Sequence, residues 1–165
     1  MKIALIRRQF AAIGGAELYL QRLLGALAAA GHELHLFAEA WDGPLSGVTF
    51  HAVAGGGSRA TRDTRFADTV RALLTAERFD CVFSFERTIW QDVFRAGDGV
   101  HRVWLERRRR FVPWWKKPFV GLGAFHRNIM ALEALTLDPA NTRRVIVNSE
   151  MVRGEILRHF PFPPE

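Results

Sequence analysis

Residues 1–38, MKIALIRRQFAAIGGAELYLQRLLGALAAAGHELHLFA, decide how the chain is expected to fold. The apolar run at residues 2–6 predicts a buried strand, and leucines at helical spacing predict an amphipathic helix over residues 16–30. Gly31 ends that helix, and the alternation of residues 32–37 predicts a second strand. A strand, a helix and a strand joined by short turns close most simply as a right-handed parallel unit.

Gly14 and Gly15 lie immediately before the predicted helix. Glycine lets the backbone approach a ligand closely, and the free amides of a first helical turn attract an anion such as phosphate. The same residues also fit a simple tight turn, in which one glycine is the N-cap and Glu17 complements the helix dipole. The stretch lacks the third glycine of a dinucleotide fingerprint and the Lys-Ser/Thr of a P-loop. Both interpretations therefore stay open from spacing alone.

The composition is that of one soluble globular domain: 165 residues, of which 48% are hydrophobic and 24% charged. No apolar run approaches the roughly 18–20 residues that a membrane span needs, and no secretory signal is present, so a cytoplasmic protein is expected. Cys81 stands alone in an apolar run, which predicts a core residue and excludes a disulfide within the chain. Neither a metal site nor a resident cofactor is predicted.

The rest of the chain continues to alternate between strand and helix signals. Strands are predicted at residues 48–53, 80–85, 89–99 and 144–148, and helices at residues 61–78, 100–110, 118–137 and after Asn148 or Ser149, either of which can be the N-cap. This alternation predicts an α/β fold with a Rossmann-like, doubly wound and mainly parallel sheet that is covered by helices on both faces.

Three polar features follow predicted strand ends. They are the Gly14-Gly15 turn, the pair Glu86-Arg87, and Asp98 between two glycines. Ligands of open α/β sheets bind beyond the carboxyl ends of the strands. We therefore expect these three features to share one cleft.

The net charge of +6 is concentrated in residues 101–128, which carry eight cations against one acid. That segment has a charge of +7, so the remainder of the chain carries about −1. Its densest part is RRRRFVPWWKKPF at residues 107–119, where cations flank two tryptophans. The basicity therefore belongs to one segment.

Residues 107–119, called the basic aromatic segment below, allow three interpretations. Tryptophan prefers the headgroup zone of a bilayer, and each clustered Lys or Arg attracts anionic lipid with about 1 kcal/mol. Cations and rings also suit single-stranded nucleic acid, and a solvated helix face with Trp114 and Trp115 over the core is the third possibility. Four consecutive arginines cannot share one helix face, which favours the membrane. The predicted membrane-contact residues are Arg107, Arg108, Arg109, Arg110, Trp114, Trp115, Lys116 and Lys117.

Several of these stretches resemble the N-terminal domain of the retaining glycosyltransferase family 4, which has the GT-B fold. The resemblance lies in IGGAE at residues 13–17, in GHEL at residues 31–34, and in VIVNS at residues 145–149 before a helix. Within that family the chain is similar to lipopolysaccharide core glucosyltransferases, through RAGDG at residues 95–99 before a basic helical region and through LE at residues 132–133.

The resemblance implies two domains that face each other across a cleft. Residues 1–160 would be the acceptor domain and residues 161–165 the start of a linker to a donor domain that is absent here. Gly14 and Gly15 would then lie against the donor's phosphates. Asp98 would face the reacting sugar, where it would either position a sugar hydroxyl or take a proton. Many relatives have histidine at this position. Glu86, Arg87 and His101 are further candidates for the acceptor or the cleft.

The function implied is transfer of a hexose from a nucleotide-diphosphate sugar, UDP-glucose, to a lipopolysaccharide core or similar glycolipid with retention of configuration. The expected location is the inner face of the cytoplasmic membrane, with an anionic membrane surface as a partner and no nucleic acid. The 165 residues alone are expected to be inactive. The alternative is a non-catalytic module that binds a membrane or nucleic acid through residues 107–119.

Overall fold

The computed structural model describes residues 1–9, 15–41 and 46–164. Strands and helices alternate along these residues as the sequence predicts. The strands are β1 (Lys2–Ile6), β2 (Glu33–Ala38), β3 (Val48–Ala52), β4 (Cys81–Ser84), β5 (Gln91–Ala96) and β6 (Thr142–Val147). The helices are α1 (Gly15–Ala29), α2 (Arg62–Thr75), α3 (His101–Arg109), α4 (Ala124–Thr136) and α5 (Glu150–His159), with a 3₁₀-helix at Trp114–Phe119.

The six described strands form one parallel sheet in the order β3-β2-β1-β4-β5-β6. The chain runs outward from β1 to β3 and then crosses back to place β4 on the other side of β1. The strand order thus reverses between β1 and β4, and this is the point where doubly wound sheets bind their ligands. The predicted Rossmann-like α/β fold is confirmed.

The central strand β1 is buried on both faces. Leu5 packs against Leu20 and Leu24 of α1 on one face, while Ile6 packs with Phe66 and neighbouring residues of α2 on the other. Full burial of such a side chain stabilises the fold by about 1.5–3 kcal/mol. Burial on both faces explains why the strand is a continuous apolar run rather than an alternating one.

A third cluster joins β5, α3 and α5. Phe94 of β5 packs there with Val103 of α3 and Ile156 of α5. Phe162, which lies within the residues predicted to begin a linker, is buried in the same cluster. The position of the domain boundary stays a prediction.

The strand predicted over residues 89–99 spans only Gln91–Ala96, and the largest boundary error is at the start of α4. The helix predicted over residues 118–137 begins only at Ala124, and Pro118 belongs instead to the 3₁₀-helix. Gly121 has a φ of 93°, a left-handed conformation that ends a right-handed helix, so a new helix has to begin after it.

Of the two proposed caps of α5, Ser149 is the N-cap, and its hydroxyl accepts a hydrogen bond from the Val152 amide at 3.3 Å.

Candidate functional site

A cavity of about 410 Å³ lies at the carboxyl ends of β1, β4, β5 and β6. Each strand contributes the residues that follow its end, and α4 and α5 close the cavity. The lining includes Arg7, Glu86, Arg87, Gly97, Asp98, Gly99, Glu133, Asn148 and Ile156. The structure therefore brings Glu86, Arg87 and Asp98 into one cleft, as the sequence predicts from their positions after strand ends.

The turn Gly97-Asp98-Gly99 is called the Asp98 turn below. A Cβ atom on Gly99 would lie 2.6 Å from Oε2 of Glu155, closer than real contacts allow, so the turn needs glycine there. The side chain of Asp98 itself is exposed. The turn thus lies directly against a buried carboxylate and presents its own carboxylate to the cleft.

Two buried acids hold the backbone that follows the Asp98 turn. Oε2 of Glu155 accepts a hydrogen bond from the Val100 amide at 3.0 Å. The Glu133 carboxylate accepts the next amide, that of His101, at 3.0 and 3.1 Å. Both amides belong to the start of α3, where a negative charge also complements the helix dipole. The start of α3 is therefore anchored on α4 and α5.

Each of these acids is paired with an arginine. Nη2 of Arg87 lies 2.9 Å from Oε1 of Glu133, and Nη2 of Arg107 lies 2.6 Å from Oε1 of Glu155. Removal of either arginine would leave a buried carboxylate without its ionic partner, and Arg107 is the more exposed of the two arginines. Arg107, which is among the predicted membrane-contact residues, thus also supports the Asp98 turn.

A second cavity of about 340 Å³ continues from the first and shares Glu86, Arg87 and Asp98 with it. His101 lines this second cavity, so four predicted site residues come together. Sequence reasoning missed the other cationic residues of its wall, which are Arg8, Arg59 and Arg62. Arg59 lies between β3 and α2, shortly after the three consecutive glycines at residues 55–57. The guanidinium of Arg59 stacks over the Phe125 ring at 5.0 Å.

The pKa values of His101 and Glu86 both differ from the ordinary values of these side chains. Burial lowers the pKa of His101 to about 4, helped by the positive Arg87 and by His126, whose Nδ1 lies 3.0 Å from Nε2 of His101. The imidazole is therefore neutral at pH 7. Burial raises the pKa of Glu86 above its ordinary value, although Arg7 at 3.1 Å and the Arg8 amide oppose the shift.

The glycine turn before α1 is the remaining predicted site. Gly14 lies outside the described residues, and Gly15 is the first residue of α1. The interpretation of this pair as a phosphate-binding turn therefore stays a prediction.

The basic aromatic segment is on the surface. Trp114 is 77% and Trp115 57% exposed, so these rings do not cover the core as one interpretation requires. Phe111 and Phe119 beside them are also exposed. Among the described residues, no helix is both long enough and apolar enough to cross a bilayer.

Comparison with known proteins identifies the class of fold and the family. The fold is similar to that of WaaG, a glycosyltransferase involved in lipopolysaccharide biosynthesis, with a TM-score of 0.83 and 18% sequence identity. The similarity covers 98% of this chain but 42% of the WaaG chain, so the protein spans less than half of that structure. No curated protein matches the sequence.

The six-stranded parallel sheet, with helices on both faces, therefore matches one Rossmann-like half of the GT-B fold. Residues 13–165 match the family described as Glycosyltransferase Family 4, and the chain belongs to that family. The resemblance drawn from the glycine turn, the Asp98 turn and the last strand is thereby confirmed. Family and fold both support a transferase.

Proposed function

We propose that the chain is the acceptor-binding half of a retaining hexosyltransferase that uses a nucleotide-diphosphate sugar, UDP-glucose, and glycosylates a lipopolysaccharide core or similar glycolipid. The observation that carries this proposal is the placement of Asp98, Arg87 and His101 in one cleft at the switch point of the sheet. A donor domain facing this edge would complete the site.

The cationic wall of the second cavity supports the proposal that the acceptor substrate is phosphorylated. Arg8 contacts Asp63 and Arg87 pairs with Glu133, so these cations are already neutralised. Arg59 is exposed, and the buried Nε of Arg62 has no hydrogen-bond partner among the described residues. Arg59 and Arg62 are therefore the cations of this wall with which an acceptor phosphate would pair.

Asp98 is the candidate for direct contact with the reacting sugar. Its carboxylate is free to position a sugar hydroxyl or take a proton, while its backbone is held by the two buried acids. A group that takes part in a reaction has to be held in a fixed position, because a small displacement of that group lowers the reaction rate strongly. The amides at Gly14 and Gly15 would stabilise the departing diphosphate together with groups of the donor domain, so the transfer itself would need no metal ion.

The basic aromatic segment would dock the protein onto the anionic inner face of the cytoplasmic membrane, where a glycolipid acceptor resides. Exposed tryptophans beside lysines and arginines suit the headgroup zone. Helix α3 connects the two regions, since it starts next to the Asp98 turn and ends in the arginines of the segment. Docking would thus bring the cleft close to a membrane-bound acceptor.

The test is glycosyl transfer by the full-length protein to a lipopolysaccharide core acceptor from a panel of nucleotide sugars. Transfer from UDP-glucose is expected, and Asp98→Ala should lower turnover by orders of magnitude without changing the circular dichroism spectrum. Asp68→Ala removes an exposed carboxylate from α2 and should leave turnover unchanged.

Near-normal turnover of the Asp98→Ala protein would remove this residue from the site. If no nucleotide sugar supports transfer while the protein still binds vesicles or single-stranded nucleic acid, the protein is instead a non-catalytic binding module.

A further inference from the structure

Two histidines and a glutamate meet on the sheet face that α2 covers, away from the cleft. His35 lies on β2, His51 on the neighbouring strand β3, and Glu77 two residues after α2. Each offers one ligand atom, and these three atoms all lie within 4.8 Å of one another. The three residues are far apart in sequence, so only the fold assembles the cluster.

The two imidazoles are hydrogen-bonded to each other through the nitrogens that would bind an ion, so an ion would replace this hydrogen bond. Nδ1 of His35 lies 2.7 Å from Nε2 of His51. Zinc binds histidine nitrogen at about 2.0–2.1 Å, so a tetrahedral ion needs the two nitrogens roughly 3.3 Å apart. A small rotation of the half-buried His51 ring, which stacks on Phe37 with centroids 4.4 Å apart, would open that space.

His35 is oriented as a metal ligand would be. Its ring is 5% exposed, and its Nε2 donates to Oε1 of Glu33 at 2.9 Å. This hydrogen bond leaves the lone pair of Nδ1 directed at His51. Metal-bound histidines are held in the same way, by a carboxylate on the nitrogen that does not bind the metal.

The local charge also favours a cation. Glu33 and Glu77 bring two negative charges, and Lys2 brings one positive charge by contacting both carboxylates. A divalent ion would replace the Lys2 ammonium on Glu77, and Lys2 would keep Glu33 as its partner at 3.6 Å.

We propose that His35, His51 and Glu77 bind a borderline divalent transition-metal ion, with Zn²⁺ the best fit, and that water completes the coordination. Two nitrogens and one carboxylate oxygen form a ligand set that zinc uses. The ion would join β2, β3 and the residues that follow α2. The site is independent of the glycosyltransferase cleft and of the function proposed for it.

The experiment is calorimetric titration of the chelator-treated chain with Zn²⁺ alone, together with Co²⁺ absorption and thermal unfolding. One equivalent should bind, raise the melting temperature, and give the visible Co²⁺ bands of a four-coordinate site. His51→Asn should abolish this binding, and Glu33→Gln should weaken it by about 10–100-fold. His126→Asn, which disrupts the other histidine pair, should leave Zn²⁺ binding intact.

Absence of Zn²⁺ binding to the parent chain, or equal binding by the parent and the His51→Asn protein, would overturn the proposal. Loss of binding in the His126→Asn protein alone would also do so, because it would place the ion at the other pair. If the His51→Asn protein does not fold, Glu77→Gln provides the test, since Glu77 is only half-buried. That variant should keep the metal-free melting temperature and lose most of the affinity.

Discussion

Gly99 is the residue on which the geometry of the Asp98 turn depends most directly. Any side chain there would collide with Oε2 of Glu155. That oxygen accepts a hydrogen bond from the Val100 amide, and the other carboxylate oxygen, Oε1, accepts one from Arg107. Neither the carboxylate nor its partners can move without loss of hydrogen bonds. The glycine is therefore required by close packing against a buried charge.

We expect Gly99→Ala to destabilise the fold by about 1–3 kcal/mol through overpacking. It should also lower the turnover of the full-length protein, because the turn has to shift. Urea unfolding and the transfer assay measure the two effects. Gly154→Ala is the matched control: Gly154 lies in α5 with open space around it, and alanine there should stabilise by about 0.5–1 kcal/mol. Unchanged stability and turnover of the Gly99→Ala protein would contradict this account of the turn.

His101 is expected to titrate with a pKa of about 4, well below the ordinary value of 6.5. The unfolded chain then binds a proton at a higher pH than the folded chain, so acid favours unfolding. This contribution is absent above pH 6.5, grows as the pH falls towards 4, and is constant below that. The titration of the His101 ring in NMR spectra measures the pKa.

The matched comparison is the pH dependence of the free energy of unfolding for the parent and for His101→Gln. The difference between the two curves should change between pH 6.5 and 4 and be flat outside that range. A ring that titrates near 6.5 would show that burial and Arg87 do not act on His101 as the structure indicates.

At the scale of elements, α3 joins the two regions that the proposed function needs. It is nine residues long and therefore spans about 13 Å. Its start is bound by Glu133 and Glu155, and its last turn consists of Arg107, Arg108 and Arg109. Helix α3 thus directly connects the basic aromatic segment to the residues next to Asp98.

We expect the double substitution Lys116→Ala/Lys117→Ala to weaken binding to anionic vesicles by about 2 kcal/mol, or roughly 30-fold, because each exposed lysine contributes about 1 kcal/mol. Co-sedimentation at low and high salt measures this. The control is Arg71→Ala/Arg78→Ala, which removes the same charge from exposed positions outside the segment and should have little effect. Equal binding of the parent protein to neutral and anionic vesicles, or no binding to either, would rule out the electrostatic docking.

At the scale of the whole molecule, the strand order determines where chemistry can occur. Residues that follow β1, β4 and β5 meet at one edge because the order reverses between β1 and β4. The histidine cluster lies on the α2 face of β2 and β3, and the basic aromatic segment lies beyond α3. The histidine cluster is thus separate from the other two regions, whereas Arg107 of the basic aromatic segment also contacts Glu155 beside the Asp98 turn.

The sequence alone determined the features whose cause lies within a few residues. The apolar run of β1 and the leucine spacing of α1 are local signals, and the structure bears out both of them. The sequence allowed Asn148 or Ser149 as the cap of α5, and the structure selects Ser149. The positions of Glu86, Arg87 and Asp98 after strand ends also sufficed to predict their shared cleft, since parallel strands end at a common edge. The late start of α4 was missed because Gly121 breaks the helix through its left-handed backbone, and Gly121 could equally have been a tolerated helix glycine.

Only the tertiary structure decided which distant side chains meet. Glu155 lies 56 residues after Gly99, and His35 and His51 become neighbours only through the pairing of β2 with β3. Spacing along a chain carries no information about which buried acid faces which amide. That choice depends on the crossover connections, the packing of α4 and α5, and the requirement that every buried charge find a partner.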